Sequence, residues 1–204
     1  MARRIVVGCS GASGMPIALE VLRCLRKAGE ESADEREQIE IHLIYTQSAR
    51  MTLLEETAIT EQEFRALADV VYENENIGAA TASGSFQTEG MIIVPCSMKT
   101  AAGICCGYSE NLLLRTADVM LKERRKLVLV TRECPFSTIH LRNLYELSQM
   151  GAVILPPMLT YYNHPHSVED CTRHITGKIL DQFGIICDGY QRWNGMEREK
   201  IKEG

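Results

Sequence analysis

Residues 4–14 read Arg4-Ile5-Val6-Val7-Gly8-Cys9-Ser10-Gly11-Ala12-Ser13-Gly14, three β-branched residues running into a loop with glycine at every third position. A short β-branched run that stops at glycine reads as a buried strand. The period then changes. Between residues 15 and 28, Ile17, Val21 and Leu25 recur every fourth position, and Ala18 and Leu22 widen the stripe. That spacing lines one face of a helix. Strand, glycine loop and helix together open a βαβ unit.

The alternation continues along the chain. Residues 39–45, 91–94, 126–130 and 152–155 read as four further strands. Helices are predicted over 47–55, 60–71, 110–123, 137–150 and 167–183. Two of these open on capping signatures, Thr60-x-x-Glu63 and Ser167-x-x-Asp170. The polar run 30–38 is a solvated connection. The irregular stretch 72–89, rich in Asn, Ala, Ser and Gly, is long enough to suggest a functional loop. Strands alternating with helices imply a parallel sheet covered on both faces. The expectation is one α/β domain over 1–204, a three-layer Rossmann-like (flavodoxin-like) parallel sheet.

Composition agrees with a folded domain. Of 204 residues 45% are hydrophobic and 24% charged, which excludes a disordered chain. Lys plus Arg is 22 against 27 for Asp plus Glu, a net charge of −5. Nucleic acid and anionic membranes are therefore poor partners. No run approaches the roughly 18–20 apolar residues that span a bilayer. The first apolar run ends at Gly8, too early for a signal peptide. Eight cysteines without regular spacing suggest thiols that are mostly reduced and buried, in a cytoplasmic protein.

In such a sheet ligands bind beyond the carboxyl ends of the strands. The ends here share a chemistry: Gly8 to Gly14 after the first strand, Thr46 after the second, Pro95-Cys96-Ser97-Met98-Lys99-Thr100 after the third. The irregular stretch adds Ser83-Gly84-Ser85. Small residues expose backbone N–H groups, hydroxyls add donors, and helix N-termini favour anions, so a phosphorylated ligand is expected. The first loop is neither G-x-G-x-x-G nor a P-loop, and Thr46-Gln47 stands where an NAD site wants an acid.

Arg132-Glu133 ends the fourth strand, either to fix a phosphate and move a proton or as an ordinary surface ion pair. Arg115 and Lys122 share a helical stripe opposite Leu113, Ala117, Met120 and Leu121. That stripe is a solvated basic face with Asp118 between, or a face that supplies cations to a neighbouring subunit. His164, His166, Cys171 and His174 invite a zinc site, but their spacing fits no common one, and no metal is expected. Cys105 and Cys106 read as buried thiols on a helix.

Taken in order, the motifs resemble a known family. They are Gly11-Ala12-Ser13-Gly14, Ser83-Gly84-Ser85, Pro95 to Thr100, and Arg115 to Arg124. Then follow Arg132-Glu133-Cys134-Pro135, Ile139-His140-Leu141, Tyr162-Asn163-His164-Pro165 and Ser167-Val168-Glu169-Asp170. Across nearly the whole chain these resemble the UbiX-like flavin prenyltransferases. Ser85-Phe86 and Gln191-Arg192-Trp193-Asn194-Gly195 look most like the branch paired with phenolic-acid decarboxylases.

The resemblance implies a metal-independent prenyltransferase that joins a dimethylallyl group from dimethylallyl phosphate to N5 and C6 of reduced FMN. The product serves a UbiD-type decarboxylase, and the family usually assembles as dodecamers with sites between subunits. By position, the resemblance assigns Gly11, Ala12, Ser13, Thr46, Ser97, Met98, Lys99, Thr100 and Arg132 to the flavin. Ser85, Tyr162 and Lys178, joined by Arg115 and Lys122 from a neighbour, fall to the prenyl phosphate. Ser13, Glu56, Glu133 and Lys122 fall at positions implicated in catalysis. Two rivals share the fold class or the flavin loops: an FMN-dependent cysteine decarboxylase, whose Pro-x-Met-Asn-x-x-Met-Trp motif is absent in that form, and a non-catalytic FMN-binding accessory subunit of a decarboxylase.

Overall fold

The computed structural model describes residues 2–195 apart from 33, 35 and 36. Its centre is β1 (Arg3–Cys9), flanked in parallel by β2 (Ile39–Tyr45) and by β4 (Gly90–Cys96). Beyond these lie β3 (Val70–Glu73), β5 (Lys126–Thr131) and β6 (Val153–Ile154), giving a six-stranded parallel sheet in the order β3-β2-β1-β4-β5-β6. This is the Rossmann order, which reverses direction between β1 and β4.

Strand alternation sorts the core into two layers. Ile5, Val7, Ile41 and Leu43 pack toward α1 (Met15–Glu31), α2 (Gln47–Glu56) and α7 (Val168–Asp181). Val6, Ile44, Met91 and Ile93 pack toward α4 (Met98–Cys105), α5 (Leu112–Lys122) and α6 (Thr138–Gln149). Thr46 and Ser97 accept first-turn N–H groups of α2 and α4, and Ser167 closes the expected capping box of α7.

One expectation is overturned. Residues 60–71 do not form a single helix. The Thr60–Glu63 box forms, but α3 (Glu61–Arg65) lasts five residues, and Val70–Glu73 joins the sheet as an edge strand. Asp69 makes the junction: its N–H donates to the Ile41 carbonyl at 3.0 Å and its Oδ2 accepts the Ile41 N–H at 2.7 Å. With that clamp, Val70, Val71 and Tyr72 gain more as strand residues than as helix residues. The sheet has six strands rather than five, and the irregular stretch begins at Asn74.

The cysteines divide. Cys9 and Cys96 are buried as expected, and burial pushes the Cys96 thiol up to about 12 and the Cys9 thiol higher. Cys106 and Cys134 are exposed, and Cys24 on α1 pairs with Cys187 in a disulfide, so neither burial nor reduction extends to all eight. Among the described residues, no helix is long and apolar enough to cross a membrane.

Candidate active site

At the switch point the loops after β1 and β4 are tied by one side chain. Ser10, 2% exposed, donates its hydroxyl proton to the Pro95 carbonyl at 2.9 Å and accepts the Ser97 N–H at 2.8 Å. Above this tie opens a cleft of about 790 Å³. Ser10, Gly11, Thr46, Ser48, Ser97, Lys99 and Thr100 form its polar wall, and Ala102, Gly103, Leu113 and Leu114 supply an apolar one. Gly11 is required for the close approach: a Cβ there would lie 2.3 Å from the Ser48 Cβ. A Cβ on Gly103 would lie 3.0 Å from Leu114, so glycine also lets α4 settle on α5.

The cleft is built for an anion. The N-terminal turns of α2 and α4 line it together, and the first N–H groups of each helix have no intrahelical acceptor. Thr46 Oγ1 and Ser97 Oγ occupy only the donor of the third helical residue, Ala49 N–H at 3.1 Å and Thr100 N–H at 3.2 Å. Lys99 is exposed, and its ammonium group has no hydrogen-bond or ion-pair partner among the described residues. Two helix dipoles and a cation thus converge on one apolar-backed cavity.

Of the other residues predicted for the flavin, Ala12 and Ser13 continue the loop beyond Gly11, with Ser13 exposed. Met98 turns into the core at 8% exposure instead of lining the cleft. Arg132 donates its backbone N–H to the Cys96 carbonyl at 3.1 Å, which sets it beside the β4 loop, and its side chain is exposed. Glu133 is half-buried and accepts the Cys134 N–H at 3.1 Å. Glu56 reaches from the end of α2 to accept the N–H groups of Gly14 and Met15 at 2.8 and 2.9 Å, so its carboxylate seals the N-terminus of α1.

Tyr162 and Lys178 meet elsewhere, around a pocket of about 130 Å³ that shares no lining residue with the larger cleft. Arg115 and Lys122 form a third group on α5, and Ser85 follows Gly84, whose backbone packs against Lys122 and Glu123. Arg115 Nε donates to the Ala82 carbonyl at 3.1 Å, its guanidinium pairs with Asp118 at 2.6 Å, and Lys122 pairs with Glu123. The intrahelical pairing anticipated for this face is therefore present. Among the described residues, no three His, Cys, Asp or Glu side chains converge as metal ligands.

Sequence reasoning missed Ser48, Tyr108, Glu110 and Asn111 as cleft residues. Asn111 carried a signal, since a helix-capping asparagine directly precedes the apolar run of α5. Tyr108 and Glu110 line the cleft only because α4 and α5 pack together, which no local pattern announces.

The family described as Flavoprotein matches residues 1–180. The flavin prenyltransferase LpdB of Lactiplantibacillus plantarum is 47% identical over 193 residues, 95% of this chain and 99% of that protein. The crystal structure of AnUbiX (PadA1) in complex with FMN and dimethylallyl pyrophosphate aligns with a TM-score of 0.90 at 45% identity, covering 97% of this chain and 100% of that one. The chain belongs to the UbiX-like flavin prenyltransferases. A second member, the dodecameric FMN-dependent Ubix-like decarboxylase from Escherichia coli O157:H7, aligns with a TM-score of 0.88 at 45% identity over 94% of this chain and 100% of that one. Membership makes this chain an enzyme, a flavin prenyltransferase, and removes the accessory-subunit and cysteine-decarboxylase readings.

Proposed function

We propose that the chain, as one flavin-binding domain, transfers a dimethylallyl group from dimethylallyl phosphate to N5 and C6 of reduced FMN. The observation that carries this reading is the cleft where the α2 and α4 N-termini and Lys99 face an apolar wall. A flavin phosphate fits the anion-favouring end and an isoalloxazine ring fits the apolar one. The flavin supplies the nucleophilic ring positions.

The chain's residues supply charge and position. Gly11, Ala12, Ser13, Thr46 and the Ser97–Thr100 turn hold the flavin, with Arg132 beside them. Cleaving the allylic C–O bond leaves negative charge on the phosphate. Ser85, Tyr162 and Lys178 receive it, together with Arg115 and Lys122 from a neighbouring subunit, without a metal. Glu133 and Glu56 handle the proton that ring closure at C6 releases.

The pocket of Tyr162 and Lys178 shares no lining residue with the cleft, and a relative 45% identical forms a dodecamer. Both observations support sites completed between subunits of a homo-oligomer. A UbiD-type decarboxylase is the proposed recipient of the product. The cytoplasm is the proposed setting, in keeping with six free cysteines.

The test is the mass of the flavin. Anaerobic incubation with reduced FMN and dimethylallyl monophosphate or diphosphate should add one five-carbon prenyl group. An unchanged flavin mass with both donors would overturn the proposal.

A further inference from the structure

Behind Tyr162 lies a histidine that the proposed chemistry does not use. His174 is on the inner side of α7, 4% exposed, between the rings of Tyr162 and Tyr190 at centroid distances of 5.6 and 5.2 Å. Tyr190 comes this close because residue 177 is glycine: a Cβ there would meet the Tyr190 Cβ at 2.2 Å. Trp193 stands edge-on to Tyr162 at 5.4 Å, so the segment after α7 closes over the pair.

Both contacts of the Tyr162 hydroxyl are hydrogen bonds in one arrangement only. The Tyr162 hydroxyl has one proton, and it lies 3.4 Å from the Gln191 carbonyl, which can only accept, and 3.3 Å from His174 Nε2. With the phenol proton aimed at Gln191, Nε2 must carry the ring proton and donate to the phenol oxygen. Nδ1 is then a bare acceptor, and it is buried with no hydrogen-bond partner among the described residues. Burial and the nearby Lys178 hold the imidazole below its ordinary proton affinity, which keeps the ring neutral with a single N–H.

We propose that His174 is a positioning residue of the donor pocket: its Nε2–H holds the Tyr162 oxygen so that the phenol proton, resting on the Gln191 carbonyl, is free to turn to the prenyl phosphate. The long bond to Gln191 is the one a phosphate oxygen replaces. No bond to carbon and no redox change is involved; one hydrogen bond is exchanged for another. The inference rests on the reading of Tyr162 and Lys178 as phosphate ligands.

Calorimetric titration of dimethylallyl phosphate into protein loaded with oxidised FMN reads donor binding without turnover. His174→Phe, which keeps ring volume but removes the donor, should weaken donor binding about tenfold and leave FMN affinity unchanged. His174→Gln, whose amide can donate from the Nε2 position, should restore binding to within about threefold. In a Tyr162→Phe background, His174→Phe should have no further effect.

Wild-type donor affinity in His174→Phe, equal losses in His174→Gln and His174→Phe, or an undiminished loss in the Tyr162→Phe background would each overturn the proposal. If His174→Phe does not fold, judged by melting and FMN binding, His174→Met makes the same comparison. Wild-type protein that binds FMN but no donor would overturn the phosphate-pocket reading and this inference with it. Donor binding by wild type with no effect in the variants would overturn this inference alone.

Discussion

Ser97 donates its backbone N–H to the hydroxyl of Ser10, 87 residues earlier, at 2.8 Å. That hydroxyl couples the two loops that part at the switch point, beside the Ser10 N–H, which donates to the Pro95 carbonyl at 3.1 Å. Ser10→Ala leaves a buried N–H on Ser97 without its acceptor, at a cost of about 1–3 kcal/mol. Urea denaturation should show the loss, and FMN fluorescence titration should show roughly tenfold weaker binding, because the α4 N-terminus loses its side-chain tie to the glycine loop and keeps only the Ser10 N–H bond to the Pro95 carbonyl.

Glu133 is half-buried just past the end of β5 and, among the described residues, accepts only its neighbour's N–H. Glu133→Gln keeps shape and removes the carboxylate. FMN affinity should stay within a factor of about two, while prenyl transfer falls on the order of 10²–10⁴-fold, the usual contribution of a general base. Wild-type single-turnover rates would remove Glu133 from proton transfer.

Lys178 has no ion-pair partner among the described residues and stands one helical turn from His174 on α7. Lys178→Ala should raise the KM for dimethylallyl phosphate about tenfold with a smaller change in kcat, as expected of a charge-assisted contact made before the chemistry. Lys178→Arg should recover most of the loss. Steady-state kinetics with saturating reduced FMN separates the two parameters.

His42 is 1% exposed, with Nδ1 2.9 Å from the Tyr72 hydroxyl, and burial pushes its proton affinity below the ordinary value of about 6.5. His174 is shifted the same way by burial and by Lys178. A folded-state value below the unfolded one means that protons favour unfolding. Stability should therefore be complete above about pH 6.5 and decline as pH falls below it. Carboxylates held down by hydrogen bonds, such as Glu63 and Asp170, lose their contribution only below about pH 4.5. Melting temperature measured between pH 5 and 8 should show the decline. His42→Asn, which keeps a partner for Tyr72, should flatten part of it.

What could be read from sequence was local or periodic. The β1 run, its glycine loop and the α1 stripe are written within 28 residues, and the Thr60 and Ser167 capping boxes span four residues each. The loops that line the cleft were legible because they end strands. The edge strand β3 was not, because its conformation is decided by Asp69 bonding to Ile41, 28 positions back. Tyr108 and Glu110 stayed hidden for a similar reason, their place being set by the seating of Gly103 against Leu114. His174 looked like a zinc-ligand candidate until tertiary packing put two tyrosine rings around it.

The position of β1 between β2 and β4 bears on how the polypeptide matures during synthesis. As it leaves the ribosome, β1 can dock one flank once residues 39–45 emerge, but its other flank stays bare until residues 90–96 follow. Until then the nascent chain carries an unprotected row of amides and carbonyls beside Ile5, Val6 and Val7, a template for unwanted association. The interval between those two strands, residues 46–89, is thus the window in which a chaperone has most to shield.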